Sequence, residues 1–427
     1  LTAVYRRMYC ICTHAADTHK VSALVGYTYQ DSRYRYMQGS GQGMPTGITE
    51  IDAASQGLAV SGNSSRSVLT SILGRAFYSY KNRYLLTATI RRDGSSKFGS
   101  NYRYGNFPSV SVGWNIAEED FVKNSVSWLD QLKLRGGYGV LGNQEIDNYQ
   151  YVSVVTTGIN YPDGKSGLIQ GAFPKTFANP DIKWEETAMT NVGIDFMALR
   201  NRLTLTADWY VKNTKDILLN VPIPISTGGA NDPIRNAGKI RNQGFEFNLG
   251  WNESLNKDLS YGVSFLGTYN KNEVVEMGAE SQVITGGTIH GGTYTSRTLA
   301  GYPIGGFWLI PTDGYFNSTE EVQAHQKDGV LIQPSAEPGD IRFKDTNNDG
   351  TINDEDRVYC GSPFPKFTYS INGNITYKNV DFSIGFQGVT GNKIYNATKL
   401  ELTDVTRGTN YLASTLDYWT PENQNAS

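Results

Sequence analysis

The chain has 427 residues, of which 19% are charged and 12% aromatic, and a net charge of −3 at pH 7. This balance, without a basic run, excludes a typical nucleic-acid-binding scaffold, and three cysteines cannot form a closed disulfide framework. No stretch of about 18 apolar residues exists, which excludes a transmembrane helix. Residues 1–13 lack the features of a signal peptide, so we expect a cytoplasmic protein or an internal piece of a longer chain.

An alternation of apolar and polar residues with a period of two predicts β-strands along most of the chain. In residues 203–211 every second position is apolar, and a tight turn at 200–202 precedes them. Strands of about 9–11 residues are long enough to cross a bilayer when tilted. The predicted strands lie near residues 5–12, 21–30, 68–80, 84–92, 107–116, 129–140, the two halves of 187–213, 245–251, 261–266, 367–377 and 380–386.

The connections between these strands alternate between short turns and long loops, of which residues 272–365 form the longest insertion. Residues 31–65 and 141–183 are also predicted loops, and 117–128 is predicted to contain one or two helical turns. Transmembrane β-barrels combine this asymmetry with alternating polarity. We therefore predict an all-β fold, an antiparallel transmembrane β-barrel with long extracellular loops. Because only about 11 or 12 strands are predicted, residues 1–427 are expected to be part of a larger barrel.

One apolar band is expected to face lipid if this fold is correct. An alternative is a secreted, calcium-binding adhesive β protein, in which the same side chains would be buried between two sheets. An enzyme acting on glycans would need a carboxylate pair in a cleft, and no spacing singles out such a pair, so no catalytic residue is predicted. The band consists of Leu203, Leu205, Phe245, Phe247, Phe367 and Tyr369.

Two other features have interpretations that involve no bound ligand. The string GYGVLG at residues 137–142 matches the dinucleotide-binding pattern, but no helix follows it, so we interpret its glycines as a bend in a strand. The basic residues Arg91, Arg92, Lys133 and Arg135 are expected at the barrel interior or rim, in solvated ion pairs.

Residues 345–356 have the spacing of a calcium-binding loop, with Gly350 at the sharp turn. An aspartate replaces the usual glutamate at the twelfth position, and no helix flanks the loop. Calcium binding and an Asx-rich turn at the base of an extracellular loop are therefore both consistent with the sequence. The predicted ligands are Asp345, Asn347, Asp349, Thr351, Asn353 and Asp356.

A cluster of aromatic residues surrounds the glycine pair at 305–306 within the long insertion. Aromatic faces stack on sugar rings, which predicts contact with a glycan ligand. The alternative is a small hydrophobic core that holds the long loop together. The residues concerned are Tyr302, Phe307, Trp308, Tyr315 and Phe316.

Several longer strings occur in a fixed order and resemble the barrel of the SusC/RagA-type TonB-dependent outer-membrane transporters. The resemblance extends from about residue 21 to residue 419. The strings are RRDGSSKFG (91–99), LKLRGGYGVLGNQEI (132–146), NPDIKWEET (179–187), NAGKIRNQGFEF (236–247) and GDIRFKDTNNDGTINDEDR (339–357).

The resemblance implies a receptor in the outer membrane of a Gram-negative cell that captures a glycan or peptide nutrient. Such receptors act with a SusD-like surface lipoprotein as a lid and take energy from TonB, without a required cofactor beyond the possible calcium ion. The family barrel is plugged and has about 22 strands. Residues 1–427 are expected to be barrel domain only, without a plug domain, a TonB box or the terminal strands, and TonB would be contacted through other parts of the parent protein.

Overall fold

Twelve strands form one sheet in the computed structural model, and each strand pairs with its neighbours in chain order. The structure describes all residues except 1, 17, 163, 165–166, 222, 224–225, 227–230, 279–282, 290–291, 407, 409 and 425–427. The all-β prediction is confirmed, including the strand expected near residues 5–12. The strands are β1 (Thr2–Ala15), β2 (His19–Gln42), β3 (Gln56–Tyr80), β4 (Tyr84–Ser95), β5 (Tyr104–Asn115), β6 (Leu129–Asn143), β7 (Glu185–Ala198), β8 (Leu203–Lys215), β9 (Lys239–Ser254), β10 (Leu259–Glu276), β11 (Phe367–Tyr377) and β12 (Val380–Thr390).

The connections alternate between short and long along the sheet as predicted, except that residues 116–128 at the short-turn end form a longer connection than residues 96–103 at the other end. Tight turns such as 81–83, 199–202 and 378–379 join strands at one end, and left-handed backbone conformations at Lys81 and Asn201 allow these sharp reversals. The longest connection at this end carries the 3-10 turn Ile116–Glu118 and the short helix α1 (Asp120–Lys123). The opposite end carries residues 43–55, 96–103, 144–184, 216–238 and 277–366.

The β2–β3 hairpin corrects one sequence prediction. Residues 31–65 were expected to form a polar loop, but β2 and β3 stay paired through Ser40↔Ala59, so only residues 43–55 connect them. The prediction was wrong because it required alternation of polarity. A ribbon with water on both faces needs only backbone pairing, and residues such as Tyr34, Tyr36 and Val60 favour extended structure.

The sheet has one apolar face and one polar face. The register places Trp209 opposite Val192 and Phe245 on the apolar face, and Asp208 opposite Gly193 and Glu246 on the polar face. None of the six residues of the predicted lipid-facing band is buried. The adhesive alternative required these side chains to lie between two sheets, so the structure does not favour it.

The long connections contain short elements of their own. Within the described ranges, none of the helices has the length and apolar character needed to cross a membrane. The strands of the connections are Val155–Pro162 with Leu168–Pro174, Leu218–Asn220 with Ile234–Asn236, a four-stranded set (Ile284–Thr285, Ser296–Thr298, Gly306–Leu309, Val358–Gly361), Thr312–Tyr315 with Ile341–Phe343, and Gln326–Lys327 with Val330–Leu331. The helices are α2 (Thr319–Ala324) and α3 (Ala397–Thr403), with 3-10 turns at Ile51–Ala53, Asp354–Asp356 and Ala413–Leu416.

Contacts divide the chain into two compact units. The first comprises Leu1–Gly267, Gly278–Ser281 and Ser370–Phe386 and holds most of the sheet. The second comprises Thr268–Met277, Gln282–Tyr369 and Gln387–Ser427 and holds most of the long insertion.

The buried core of the first unit lies among its long connections and the adjacent strand ends. The Trp184 ring lies 5.0 Å from that of Phe98 and 5.4 Å from that of Phe107, between ring centres. Ile146 and Ile182 complete the buried cluster. Three strings that are far apart in the sequence, 91–99, 132–146 and 179–187, thus meet in one place.

Candidate functional site

The polar face of the sheet carries an ion cluster on three neighbouring strands. Arg135 on β6 donates to both oxygens of Asp208 on β8 at 2.6 Å, and its Nε donates to Asp195 on β7 at 3.1 and 3.2 Å. All three side chains are about one-quarter exposed. One guanidinium thus pairs with two carboxylates, and Lys133 lies opposite Asp195 in the register on the same face, so the cations and anions at this place are balanced.

Gly193 makes this cluster possible. It lies between Arg135 and Asp208 in the register, and a Cβ at this position would approach Asp208 Oδ1 to 2.4 Å and Arg135 Cζ to 2.8 Å. A residue without a side chain is therefore needed for the guanidinium to reach across β7.

The four basic residues singled out in the sequence divide between the two faces. Arg91, Lys133 and Arg135 occupy polar-face positions, and Arg91 pairs with Asp93 at 2.6 Å. Arg92 occupies the apolar face near the long-loop end, where its guanidinium lies 5.0 Å from the centre of the Tyr104 ring. These positions agree with the predicted interior or rim. Among the described residues, ion pairs form at Arg91 and Arg135 but not at Arg92 or Lys133, so the predicted ion pairs are found in part.

The predicted aromatic residues of the insertion make packing contacts within the second unit. The Tyr302 and Trp308 rings lie 4.7 Å apart, and both contact Tyr359, which sequence analysis did not single out. Trp308 is buried and Phe316 is completely buried, with the His325 ring 5.5 Å away. Phe307 and Tyr315 are half-buried and lie on separate short strands. Tyr302 is 38% exposed, so it presents the most accessible ring to a ligand, and glycan contact there stays a prediction.

The six predicted calcium ligands lie in one turn that is hydrogen-bonded to itself. Asp345 accepts the backbone N–H groups of Asp349 and Gly350 at 3.1 and 2.7 Å. Asp349 accepts the N–H of Thr351 at 2.7 Å and the side-chain amide of Asn347 at 2.9 Å. The Asn347 amide, followed by the Thr351 N–H, holds the pKa of Asp349 below its usual range, so this carboxylate stays charged in mild acid.

Asp356, at the twelfth position of the loop, closes the turn. Its side chain is fully buried and accepts the backbone N–H groups of Thr346 and Asn353 at 2.7 and 2.8 Å. Asn353 in turn caps the 3-10 turn that follows. The side-chain oxygens of Asp345, Asn347 and Asp349 keep unused lone pairs for a hard cation. The Asp356 carboxylate instead uses both of its oxygens to accept backbone N–H groups. Among the described residues, His, Cys, Asp and Glu side chains form no group of three or more with metal-site geometry.

We expect calcium to bind this loop weakly, through Asp345, Asn347 and Asp349. Substituting Asp349→Asn keeps the acceptor for Thr351 but removes one charge, which should weaken calcium affinity by about tenfold or more in titration calorimetry of the whole receptor. Asp328→Asn is a matched control in a nearby turn with a left-handed backbone. Equal affinities for the Asp349→Asn variant and the wild type would contradict the calcium interpretation.

Comparison with known proteins decides between the transporter barrel and the secreted adhesive protein. The family model described as TonB dependent receptor-like, beta-barrel, matches residues 13–420. The chain belongs to this family. Relatives include TonB-dependent receptor P39 of Formosa agariphila, 33% identical over 89% of the chain and 38% of that protein. TonB-dependent receptor SusC of Bacteroides thetaiotaomicron is 33% identical over 77% of the chain and 32% of that protein.

Solved structures give the same fold. The structure of the RagAB peptide transporter superposes with a TM-score of 0.81 over 99% of this chain and 46% of that chain, at 22% sequence identity. The receptor chain described here spans about two-fifths or less of the length of the curated relatives it matches. The twelve-stranded sheet is therefore part of the wall of a TonB-dependent receptor barrel in the outer membrane.

Family membership assigns an environment to each face of the receptor wall. Alternate positions in a transmembrane barrel face lipid and a polar interior, so the apolar face contacts hydrocarbon and the Arg135 cluster faces the interior. Arg135 was recognisable in the sequence as a candidate, whereas its partners Asp195 and Asp208 were not. Their alternation with Ile194 and Ala207 placed them on the polar face, but the register that brings them together could not be derived from single strands.

Proposed function

We propose that the whole receptor imports glycan or peptide fragments across the outer membrane, using energy transmitted through TonB. The match over residues 13–420, together with 33% identity to SusC, is the observation that carries this proposal. The topology supports it, because all of the longest connections emerge from one end of the sheet. Barrels place their longer loops outside the cell, where a nutrient first arrives.

We further propose that a SusD-like surface lipoprotein binds at this long-loop end and encloses the substrate. The connection between β10 and β11 carries the half-exposed Tyr302 and the turn at residues 345–356. The ion cluster around Arg135 on the interior face would bind charged groups of a plug or of a passing substrate.

Uptake of fluorescently labelled glycan and peptide pools by intact cells tests the import proposal. Deleting the receptor gene should abolish uptake of one pool, and complementation should restore it. A protonophore, or deletion of TonB, should stop this uptake without changing the amount of receptor in the membrane. Uptake that continues without TonB would refute energy-coupled import.

Co-purification tests the partner proposal separately. A tagged receptor extracted from the outer membrane in mild detergent should retain a surface lipoprotein in about equimolar amount. Isolation of the receptor alone under several mild detergents would refute a stable complex.

A further inference from the structure

Three connections at the long-loop end of the first unit meet around one cavity. The cavity has a volume of about 390 Å³, within the range of about 300–1,000 Å³ that is usual for small-molecule sites. None of its residues belongs to the ion cluster, the aromatic insertion or the acidic loop described above. The β4–β5 connection contributes Tyr102, the β6–β7 connection contributes Phe177 and Asp181, and the β8–β9 connection contributes Arg235.

Side-chain amides fix the walls of this cavity. Asn179 donates to the carbonyl of Ile234 at 2.9 Å. The side chain of Asn236 accepts the backbone N–H of Lys183 at 2.9 Å and donates to the carbonyls of Lys183 and Asp216, both at 2.8 Å. The β6–β7 and β8–β9 connections are therefore cross-linked to each other, and the cavity is formed before any ligand arrives.

Two aromatic rings on these fixed walls stay open to solvent. Tyr102 is 40% exposed and Phe177 is 45% exposed, whereas Phe98 in the same connection as Tyr102 is completely buried. Within the described part of the chain, neither exposed ring packs against another ring or a cation. An exposed aromatic face on a rigid support can bury the C–H surface of a flat ligand such as a sugar ring.

Charged side chains line the cavity beside the two rings. Asp181 is exposed, and its carboxylate accepts no hydrogen bond from any residue that the structure describes. Lys183 pairs with Asp216 at 3.0 Å but keeps 40% of its side chain exposed, and Arg235 is half-buried. Carboxylate oxygens and cationic N–H groups supply the acceptors and donors that neighbouring sugar hydroxyls need.

Backbone groups of the cavity wall are already used. The N–H of Ile182 donates to the carbonyl of Asn179 at 3.2 Å, and the N–H of Lys183 donates to Asn236. An extended peptide that adds to a strand edge binds mainly through backbone groups, and these two donors cannot serve it. Rings and charged side chains therefore carry recognition here, which suits a sugar better than a peptide backbone.

We propose that this cavity binds a short stretch of an oligosaccharide at the long-loop end of the wall. Tyr102 and Phe177 stack on the sugar rings, and Asp181 and Arg235 form hydrogen bonds with the hydroxyl groups. The inference rests on the proposed import function and selects the glycan from the two substrate classes named there. It places this contact on the first unit, separate from Tyr302 in the long insertion.

Binding of fluorescently labelled oligosaccharides to the purified full-length receptor in detergent tests this site. The probes are short oligosaccharides of glucose, galactose, mannose, xylose and glucuronic acid, and at least one should bind the wild type. Phe177→Ala should raise the Kd of that probe by about tenfold or more, because a stacking surface is lost. Phe177→Tyr keeps the ring and should stay within about threefold of the wild type. Tyr161→Ala is the matched control, since Tyr161 is an exposed aromatic residue of the β6–β7 connection that does not line the cavity, and it should leave the Kd unchanged.

Three results would overturn the sugar site. They are the absence of binding by every oligosaccharide probe, equal Kd values for Phe177→Ala and Tyr161→Ala, and binding of a labelled tripeptide pool that Phe177→Ala abolishes. The assay needs neither TonB nor cellular energy. A receptor that fails in this assay but takes up peptides in intact cells would therefore refute the sugar site and leave the import function standing.

Discussion

The Leu249→Arg variant is expected to assemble poorly in the outer membrane and to lose about 2–4 kcal/mol of folding free energy, the cost of an arginine near the bilayer midplane. Leu249 lies on the apolar face of β9 between Phe247 and Trp251, and 42% of its surface is exposed. In water this substitution of an exposed residue would cost little. The large penalty arises only if the face contacts hydrocarbon. Urea unfolding midpoints in lipid vesicles and the amount of receptor in outer-membrane fractions measure it.

Asn248→Arg provides the matched control one position earlier in the same strand. Asn248 is exposed on the polar face, opposite Thr206. An arginine there remains in a polar environment, so a change within about 0.5 kcal/mol is expected. Equal destabilisation by the two variants would contradict the assignment of the two faces.

Trp184→Ala is expected to destabilise the long-loop end of the first unit by about 3–5 kcal/mol, through lost burial and the cavity left behind. Trp184 is 5% exposed and packs on Phe98 and Phe107. Its indole N–H also donates to the carbonyl of Arg103 at 3.3 Å. Hydrogen exchange should therefore become faster in residues 96–103 and 144–184, while the membrane-spanning parts of β3 and β4 keep their protection.

Tyr102→Ala is the control for this substitution. Tyr102 lies in the same connection as Phe98 but is 40% exposed, so its loss should cost less than about 1 kcal/mol. If Trp184→Ala were as mild as Tyr102→Ala, the cluster would not be the core of these connections.

The wall of the receptor was predictable because lipid on one face and water on the other require apolar and polar residues to alternate along each spanning strand. Trp209, Phe245 and Val192 were recognisable one strand at a time, and so was the order of long and short connections. The ends of β2 and β3 were not recognisable, because beyond the lipid neither face has to be apolar. The ion pairs of Asp31 with Arg33 and Arg66 were missed for the same reason, since Asp31 and Arg33 lie in a stretch that was interpreted as a loop.

The candidate sites depended on contacts that single strings do not reveal. Spacing alone selected residues 345–356, but the structure shows that both oxygens of the Asp356 carboxylate accept backbone N–H groups that close the turn. Aromatic composition selected Phe316 and Trp308, yet burial by partners such as Tyr359 and His325 depends on distant segments. Chemical type was predictable for these residues, whereas accessibility was not.

The grouping of the tight turns at one end of the sheet has an evolutionary consequence. Turns of two to four residues fix the register of the neighbouring strands, so an insertion there would shift side chains between faces. Insertions at the other end change no register, and lengthening a loop has a small entropic cost. Related genes can therefore exchange or expand the outer connections by recombination while the wall stays constant, so that new binding surfaces arise on an inherited scaffold.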